Sequence, residues 1–229
     1  ALPNMNGSFT VTLFLSYDEG EFNFENLTSE KKIIEFFEKE FPDALALIPD
    51  IKDEFINNPT GPLGTIKCSP WSYENKTLLI GDSSHAIVPF YGQGMNASFE
   101  DVYVLDEILN KDLGDWKSVF KAYQTKRKKD TDAIADLAID NFHEMKKHVS
   151  NPIFKEKRVI EMDLEKTFPT EYFSKYSLVT FNENIGYNEA MKRGRAQDKA
   201  LLNLIADDEI YTHLNMTKEE LKSILDKVI

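Results

Sequence analysis

The sequence predicts a mixed α/β protein in which a few strands come first and helices dominate the second half. Residues 8–16 are rich in β-branched and aromatic side chains and alternate in part, which predicts a strand, and residues 63–68 and 76–81 are also predicted strands. From Gln93 onward, the apolar residues follow almost only the helical spacings of three and four. Within this chain the expected fold class is therefore α/β of the α+β kind.

The predicted helices have signals at their ends. Thr28 is the expected N-cap of the first helix. The apolar face of that helix consists of Ile33, Ile34, Phe37 and Phe41. A short helix over residues 217–228 begins with a capping box, in which Thr217 and Glu220 are expected to bond each other's backbone N–H groups.

Longer helices are predicted between these two. One opens near residue 95 and is expected to end at Leu113 and Gly114, where the glycine would adopt a left-handed cap. Its apolar residues, in steps of three and four, are Met95, Phe99, Val102, Leu105 and Leu109. A long helix is predicted over residues 116–148, and a further one leads from residues 182–190 toward Asp208.

The composition limits the partners that the protein can have. The chain has 39 acidic and 27 basic residues, a formal net charge of −12, whereas nucleic acids and anionic membranes bind basic surfaces. No apolar run approaches the roughly 18 residues of a membrane-spanning helix. The single cysteine, Cys68, is expected to be a buried thiol in a reducing compartment. We therefore expect a soluble, cytoplasmic protein with no nucleic acid partner and no membrane span.

Several catalytic motifs are excluded by their spacing. His143 and His148 are five residues apart and would point about 140° apart on a helix, so they do not form the zinc motif, which needs a spacing of four. Ser83 and Ser84 lack the glycine pattern of a nucleophile elbow. His85 is expected to support the local turn by a backbone hydrogen bond. We predict no metal site and no catalytic nucleophile.

Residues 78–101 carry the most informative pattern, LLIGDSSHAIVPFYGQGMNASFED. A short strand ends at Gly81 and Asp82, a loop with Gly92 and Gly94 follows, and a helix opens near Met95. Such a loop lets a ligand approach the backbone closely, and the first helical turn offers unpaired N–H groups. An acid after a strand can also accept hydrogen bonds from ligand hydroxyls. The alternative, equally weighted on spacing alone, is that Asp82 is a turn residue or N-cap.

The sequence of this stretch resembles the second flavin-binding signature of the FAD-dependent aromatic hydroxylases. That signature contains Gly-Asp, then Ala or Ser, His, Pro and a Gly-Gln-Gly-x-Asn loop. The stretches ALPNMNGSFTVTLF, DAIADLAIDNFHEM and YSLVTF are similar to other parts of the same family. The resemblance covers most of the chain, and little of it falls on the last helix.

The resemblance implies a set of cofactor contacts. Asp82 matches the acid that holds the ribitol and ribose side of FAD. The backbone of Met95 and Asn96 would face the pyrimidine ring of the flavin. The loop beneath the isoalloxazine would consist of Gly92, Gln93 and Gly94. NADPH would be the reductant, and the flavin would carry the oxygen chemistry.

The resemblance also implies a substrate side. The substrate would be a small aromatic molecule, L-kynurenine, which is hydroxylated on its ring during tryptophan degradation. The segment lining the substrate side of the flavin would be Pro89, Phe90 and Tyr91. Asn141 and Tyr176 match two positions that contact the amino-acid group of the substrate.

The residues themselves also single out Asn141. On the long helix it shares an apolar stripe with Ile134, Ala138 and Met145. An unpaired polar side chain there costs roughly 1 to 3 kcal/mol, so Asn141 is expected to have a partner. The plain alternative is a bond to a neighbouring backbone group. For Tyr176 the plain alternative is a core tyrosine with a satisfied hydroxyl.

The chain also departs from the family pattern. The Gly-x-Gly-x-x-Gly turn that holds the ADP part of FAD does not occur in it, and the family's Arg and Tyr for the substrate carboxylate cannot be assigned. The opening ALPNMNGSFT is neither a signal peptide nor a natural start. The expectation is a C-terminal portion of such an enzyme, inactive and prone to self-association alone. Residues 1–75 would be part of the substrate-binding sheet domain, and residues 76–113 would be the C-terminal part of the FAD-binding domain. Residues 114–229 would form a helical region that contributes to the substrate site.

Two other interpretations stay open from the sequence. One is a flavin hydroxylase that acts on a different aromatic acid, against which Asn141 and Tyr176 argue. The other is a non-catalytic helical interaction protein that uses the Gly-Asp loop only as a turn.

Overall fold

The computed structural model describes residues 1–111, 114–148, 151–206 and 216–229. These residues form two compact units, Ala1–Pro62 and Leu63–Ile229. Helices dominate, and the described strands form two small two-stranded sheets. The predicted fold class is therefore confirmed, although the predicted strands are mostly wrong in extent.

The first unit begins with a short hairpin. Strand β1 (Leu2–Pro3) pairs antiparallel with strand β2 (Phe9–Thr10). The strand predicted over residues 8–16 is thus wrong beyond Thr10. A strand needs a partner for its backbone groups, and in the described part of this unit the chain after Thr10 is paired in no ladder.

Three helices follow in the first unit: α1 (Glu30–Glu40), α2 (Pro42–Leu45) and α3 (Ile51–Asn57). The N-cap of α1 is Ser29, whose hydroxyl accepts the backbone N–H of Lys32, so the predicted Thr28 is wrong by one residue. The apolar core of the unit consists of Leu27, Ile33, Phe36, Phe37 and Ile51.

The second unit is largely helical. Its elements in chain order are β3 (Ser72–Tyr73), β4 (Thr77–Leu78), α4 (Asp82–His85), a 3₁₀ turn (Pro89–Tyr91), α5 (Gly94–Leu109), α6 (Trp116–His143), a π-helical turn (Glu144–His148), α7 (Pro152–Thr167), α8 (Lys175–Thr180), α9 (Tyr187–Ala206) and α10 (Lys218–Val228). Helix α6 contacts α5 and α9, and α9 also contacts α7 and α8. Helix α6 therefore lies at the centre of the unit.

The strand predictions in this unit are also largely wrong. Residues 63–68 form no strand, and the backbone N–H of Ile66 donates to the carbonyl of Ala86 at 2.7 Å. Of residues 76–81, only Thr77–Leu78 is a strand, and it pairs antiparallel with Ser72–Tyr73. Apolar runs of this length predict burial more reliably than they predict a ladder partner.

Helix α5 forms where the periodicity predicted it, but the predicted apolar stripe is mostly exposed. Met95, Phe99 and Val102 are exposed by 68%, 66% and 57%. The buried face of α5 lies two positions further along the helix. It consists of Ala97, Asp101, Val104 and Ile108. The spacing predicted the helix correctly, whereas the side that packs depends on the neighbouring α6.

The observed ends of the helices agree with some of the predicted ends and differ from others. Helix α5 ends at Leu109, so its predicted end at Leu113 is wrong, and Leu113 itself lies outside the described residues. Gly114 has the expected left-handed φ of 78°. The predicted end of α9 at Asp208 also lies outside the described residues. The capping box of α10 is confirmed, with Thr217 and Glu220 bonding each other's backbone N–H groups. Among the described helices, none has an apolar stretch long enough to cross a membrane.

Candidate functional site

The Gly81–Asp82 turn leads from β4 into α4. Gly81 has φ 62° and ψ −144°, a conformation that residues with a Cβ rarely adopt. A Cβ there would also lie 3.3 Å from Oγ of Ser98 on α5, so the turn packs closely on that helix. Asp82 is exposed, and its carboxylate makes no hydrogen bond or ion pair with any part of the chain that the structure describes. The carboxylate is therefore available to a ligand.

A buried carboxylate holds this turn from beneath. Asp101 of α5 accepts the backbone N–H of Gly81 at 3.0 Å and Nε2 of His85 at 2.5 Å on the same oxygen. Its other oxygen accepts Nε of Arg127 on α6 at 2.7 Å. The side chains of Asp101, His85 and Arg127 are at most 1% exposed. We call these three residues the Asp101 cluster.

The Asp101 cluster is electrostatically favourable. Burial alone would raise the pKa of Asp101, but hydrogen bonds from His85 and Arg127 hold it below its ordinary value. His85 therefore has the structural role that the sequence predicts, but its partner is a side-chain carboxylate, so the predicted backbone bond is wrong. The cluster ties α4, α5 and α6 together at the point where the turn begins.

The first turn of α5 presents free backbone donors. The first intrahelical bond runs from the N–H of Ala97 to the carbonyl of Gln93, and Gln93 provides no side-chain cap. The N–H groups of Gly94, Met95 and Asn96 consequently have no acceptor among the described residues. Since the dipole of a 16-residue helix is positive at this end, the three groups suit a ligand with acceptor oxygens.

The loop before α5 is fixed by side chains. The side-chain oxygen of Gln93 accepts the amide of Asn96 at 2.9 Å and the hydroxyl of Tyr187 at 3.2 Å. Burial raises the pKa of Tyr187 to about 12, so its hydroxyl stays protonated and can donate. Gly92 is exposed and has a left-handed φ of 68°, with nothing within 4 Å of where a Cβ would stand. The loop surface at Gly92 is therefore open to a ligand.

The predicted substrate residues meet at the 3₁₀ turn that precedes this loop. The amide of Asn141 on α6 donates to the carbonyl of Phe90 at 2.6 Å. This is the backbone bond that the plain alternative expected, and it links α6 to the 3₁₀ turn. The structure gives the side-chain oxygen of Asn141 no partner among the described residues.

An aromatic wall adjoins the same turn. The ring of Tyr176 on α8 stacks on that of Tyr91, with centroids 5.8 Å apart and planes at 21°. Tyr91 is buried, whereas Tyr176 is 45% exposed. Tyr176 is therefore not a buried core tyrosine, which was the alternative interpretation from the sequence. Phe181, 72% exposed, meets Tyr176 edge to face at 6.0 Å.

The predicted residues of the loop, α6 and α8 surround one apolar core, whereas Asp82 is separate from it. The loop, α6 and α8 share an apolar core that contains Tyr91, Ala97, Ile134, Leu137, Ala138 and Leu178. Asp82 does not contact this group through its own side chain among the described residues, and the link runs through Gly81, Asp101 and α5.

Sequence reasoning missed the Asp101 cluster, although a signal for it exists. Asp101 lies at helical spacing between Ala97, Val104 and Ile108, so it is an acid on the buried face of α5. An ionised side chain at such a position needs a cationic partner. Arg127 lies 26 residues away, and only the packing of α5 on α6 identifies it.

Comparison with known proteins agrees with the geometry. A family profile described as an FAD binding domain matches residues 34–138. The matched residues include the open glycine loop and the uncapped first turn of α5.

The chain is also similar to curated proteins named kynurenine 3-monooxygenase. The chain is 46% identical over 222 residues to a kynurenine 3-monooxygenase of Flavobacterium johnsoniae, covering 97% of this chain and 49% of the relative. It is 48% identical over 197 residues to that of Christiangramia forsetii, covering 86% and 44%. The kynurenine 3-monooxygenase of Dictyostelium discoideum is 43% identical over 223 residues, covering 92% and 48%. The chain spans about half the length of the curated relatives that it matches.

Proposed function

We propose that this chain forms the C-terminal portion of an FAD- and NADPH-dependent enzyme that hydroxylates L-kynurenine to 3-hydroxykynurenine. The observation that carries the proposal is that Tyr91, on which the ring of Tyr176 stacks, shares one packed core with Ala97, which follows the uncapped N–H groups of α5. The similarity to kynurenine 3-monooxygenases supports the substrate.

The residues present fit the flavin part of FAD. A flavin pyrimidine ring carries carbonyl oxygens, which the free N–H groups of Gly94, Met95 and Asn96 are suited to bind. The exposed carboxylate of Asp82 is available to ribityl and ribose hydroxyls. Gly92 and Gln93 would lie beneath the ring system. Bound FAD, once reduced by NADPH, supplies the oxygen chemistry for ring hydroxylation.

The chain's own residues bind and orient the substrate. The side-chain oxygen of Asn141 is left to accept from the ammonium group of an amino acid, because the amide is committed to Phe90. Tyr176 offers an exposed ring face and hydroxyl beside it, and Pro89, Phe90 and Tyr91 line the flavin side. Such a wall orients an aromatic ring and keeps water away from it. No side chain of this chain needs to act as a nucleophile.

The decisive experiment uses the complete protein that contains this chain. Purified protein is expected to be yellow and to oxidise NADPH in the presence of L-kynurenine, with 3-hydroxykynurenine as the product. NADPH oxidation driven only by another aromatic acid would favour the first alternative, a hydroxylase of different specificity. A colourless complete protein would favour the helical interaction protein.

The chain by itself is proposed to be inactive, free of FAD and self-associating. One face of α5 exposes apolar side chains, and strand β4 is paired on one side among the described residues. Another chain would cover this apolar surface and the open strand edge. A measured mass in solution and a visible spectrum test this. A yellow monomer that turns over kynurenine would contradict it.

The remaining expectations stay proposals. We propose that residues 1–75 belong to the substrate sheet domain of the complete enzyme, residues 76–113 to its FAD domain, and residues 114–229 to a helical region. We also propose a cytoplasmic location, for which the single free cysteine, Cys68, is the supporting observation. Cell fractionation followed by detection of the protein in the cytosolic fraction tests the location.

A further inference from the structure

Helix α8 carries Tyr176 and is only six residues long. Helices this short are not stable by themselves, so the position of the ring depends on what anchors the helix. The hydroxyl of the N-cap Ser174 accepts the N–H of Ser177, and the backbone N–H of Ser174 donates to Glu165 of α7 at 2.8 Å. The strongest anchor is the residue directly before Tyr176.

Lys175 is buried and joins three elements. Its ammonium group pairs with Asp198 of α9 at 2.6 Å and with Glu144 at the π-helical end of α6. Asp198 also pairs with Lys157 of α7 at 2.6 Å, and Lys157 pairs with Glu161 at 3.1 Å. We call these five residues the Lys175 cluster.

The carboxylates of the Lys175 cluster keep Lys175 ionised. Burial alone would lower the pKa of Lys175, but Asp198 and Glu144 raise it well above its ordinary value. Burial alone would raise the pKa of Asp198, but Lys175 and Lys157 hold it below its ordinary value. Both partners stay charged around neutral pH, so the link between α8 and α9 persists there.

Backbone packing fixes the same helix a second time. A Cβ at Gly194 of α9 would lie 2.6 Å from Cγ, 2.7 Å from Cβ and 3.0 Å from Cα of Lys175. Real Cβ atoms do not approach this closely, and two of the three atoms belong to the root of the side chain. The absence of a side chain at Gly194 therefore sets how near α8 lies to α9.

We propose that Lys175 and Gly194 are positioning residues, which fix α8 on α9 so that the Tyr176 ring stays stacked on Tyr91 and receives the amino-acid end of an aromatic substrate. The role in substrate binding rests on the proposed function. The role in holding the ring does not, because it concerns only contacts within the chain.

Lys157 offers a matched control. It belongs to the same cluster, forms two ion pairs as Lys175 does, and its side chain is 7% exposed against 8%. It lies on α7 and does not carry Tyr176. Loss of Lys157 should therefore reduce stability as loss of Lys175 does, without moving the ring.

The first experiment measures substrate affinity in the complete, oxidised protein. L-Kynurenine is titrated without NADPH, and the change in the flavin absorbance gives the Kd. We expect Lys175→Met and Gly194→Ala each to raise the Kd at least fivefold with FAD still bound, and Lys157→Met to leave it within twofold of the unchanged protein. Lys175→Arg, which keeps the charge, is expected to give a smaller rise and replaces the Met variant if that does not fold.

The second experiment is independent of the substrate. 3-Fluorotyrosine at position 176 reports on the ring by ¹⁹F NMR without kynurenine. We expect its signal to shift or broaden in Lys175→Met and Gly194→Ala, but not in Lys157→Met. If the unchanged protein does not bind kynurenine, the proposed function fails and this signal still tests the positioning. The proposal is overturned if the folded Lys175 and Gly194 variants keep the original signal, or if Lys157→Met alters it equally.

Discussion

The second unit contains two buried ionic clusters, and each of them holds a different part of the candidate site. In the Asp101 cluster, one carboxylate receives a backbone N–H, an imidazole and a guanidinium, and its side chains are at most 1% exposed. In the Lys175 cluster, two lysines share three carboxylates, and the exposure rises to 32% at Glu144. The first cluster lies under the Gly81–Asp82 turn, and the second under α8.

The difference teaches how each flank should respond to damage. Asp101 bonds the backbone of the turn directly, so its loss opens the turn and leaves Arg127 with the partly exposed Glu100, at 2.8 Å, as its remaining carboxylate. The Lys175 cluster holds a whole helix through side chains, and its outer members reach solvent. We therefore expect changes in the Asp101 cluster to act mainly on the unfolding free energy of the protein. Changes in the Lys175 cluster should act mainly on the position of the Tyr176 ring.

The largest expected effect is that of Asp101→Ala. The variant removes the buried partner of Arg127, which keeps only the ion pair with Glu100, and leaves the N–H of Gly81 and the ring of His85 without their acceptor. We expect this to cost roughly 3 kcal/mol of unfolding free energy. Urea unfolding of the complete protein measures it. The control is Glu107→Ala on the same helix, where the ion pair with Lys126 at 2.8 Å is exposed and little change is expected. A similar loss of unfolding free energy in both variants would show that burial does not determine how much such an ion pair stabilises the protein.

The next effect concerns the flavin flank alone. Asp82→Ala should weaken FAD binding by about 10- to 150-fold, because a hydrogen bond to a charged acceptor contributes roughly 1.5 to 3 kcal/mol. Titration of the FAD-free protein with FAD measures the affinity. Asp53→Ala, an exposed acid on α3, serves as the control. Unchanged affinity would leave Asp82 as a turn residue.

A smaller effect is expected on the substrate flank. Asn141→Ala should raise the KM for kynurenine by about 5- to 10-fold through loss of neutral hydrogen bonds, with some loss of kcat if orientation suffers. Tyr176→Phe keeps the stacked ring and should raise the KM by less. The flavin spectrum should stay the same in both, and Asn110→Ala on the exposed end of α5 should change nothing. Two variants with the original KM would remove both residues from the substrate site.

The smallest effect is the pH dependence of the Asp101 cluster. The pKa of Asp101 is lowered in the folded protein, so its stabilising contribution is present above the ordinary aspartate value of 3.8 and is lost as the pH falls through the lower folded value. The stability difference between the unchanged protein and Asp101→Ala should shrink below about pH 4 as the Asp101 carboxylate is protonated. Urea unfolding at several pH values measures it, and a difference that shrinks already near pH 6 would contradict this assignment.

Local patterns predicted the local features of the fold. The capping box of α10 joins groups three residues apart, and the positive φ of Gly114 lies in a connection marked by glycine. The helical spacing after Gln93 predicted α5 and α6, because helical bonds join residues four apart. The glycine loop between Gly81 and Gly94 was likewise visible as a strand, a turn and a helix start.

Tertiary structure decided the features that depend on distant residues. The strands predicted over residues 8–16 and 76–81 shrank to two residues each, and residues 63–68 form none, because a strand requires a partner that the run itself does not specify. The stripe of Met95 and Phe99 predicted a helix but lies on its exposed side, since packing on α6 selects the face that contains Asp101.

The sequence by itself therefore determined the fold class, the helical second half and the position of the glycine loop. Only the tertiary structure decided that Asp101 binds Gly81 and Arg127, 20 and 26 residues away, and that Lys175 lies against Gly194. The physical reason is that spacing along the chain sets which groups bond within one helical turn, whereas a buried charge is stable only beside the partner that packing supplies.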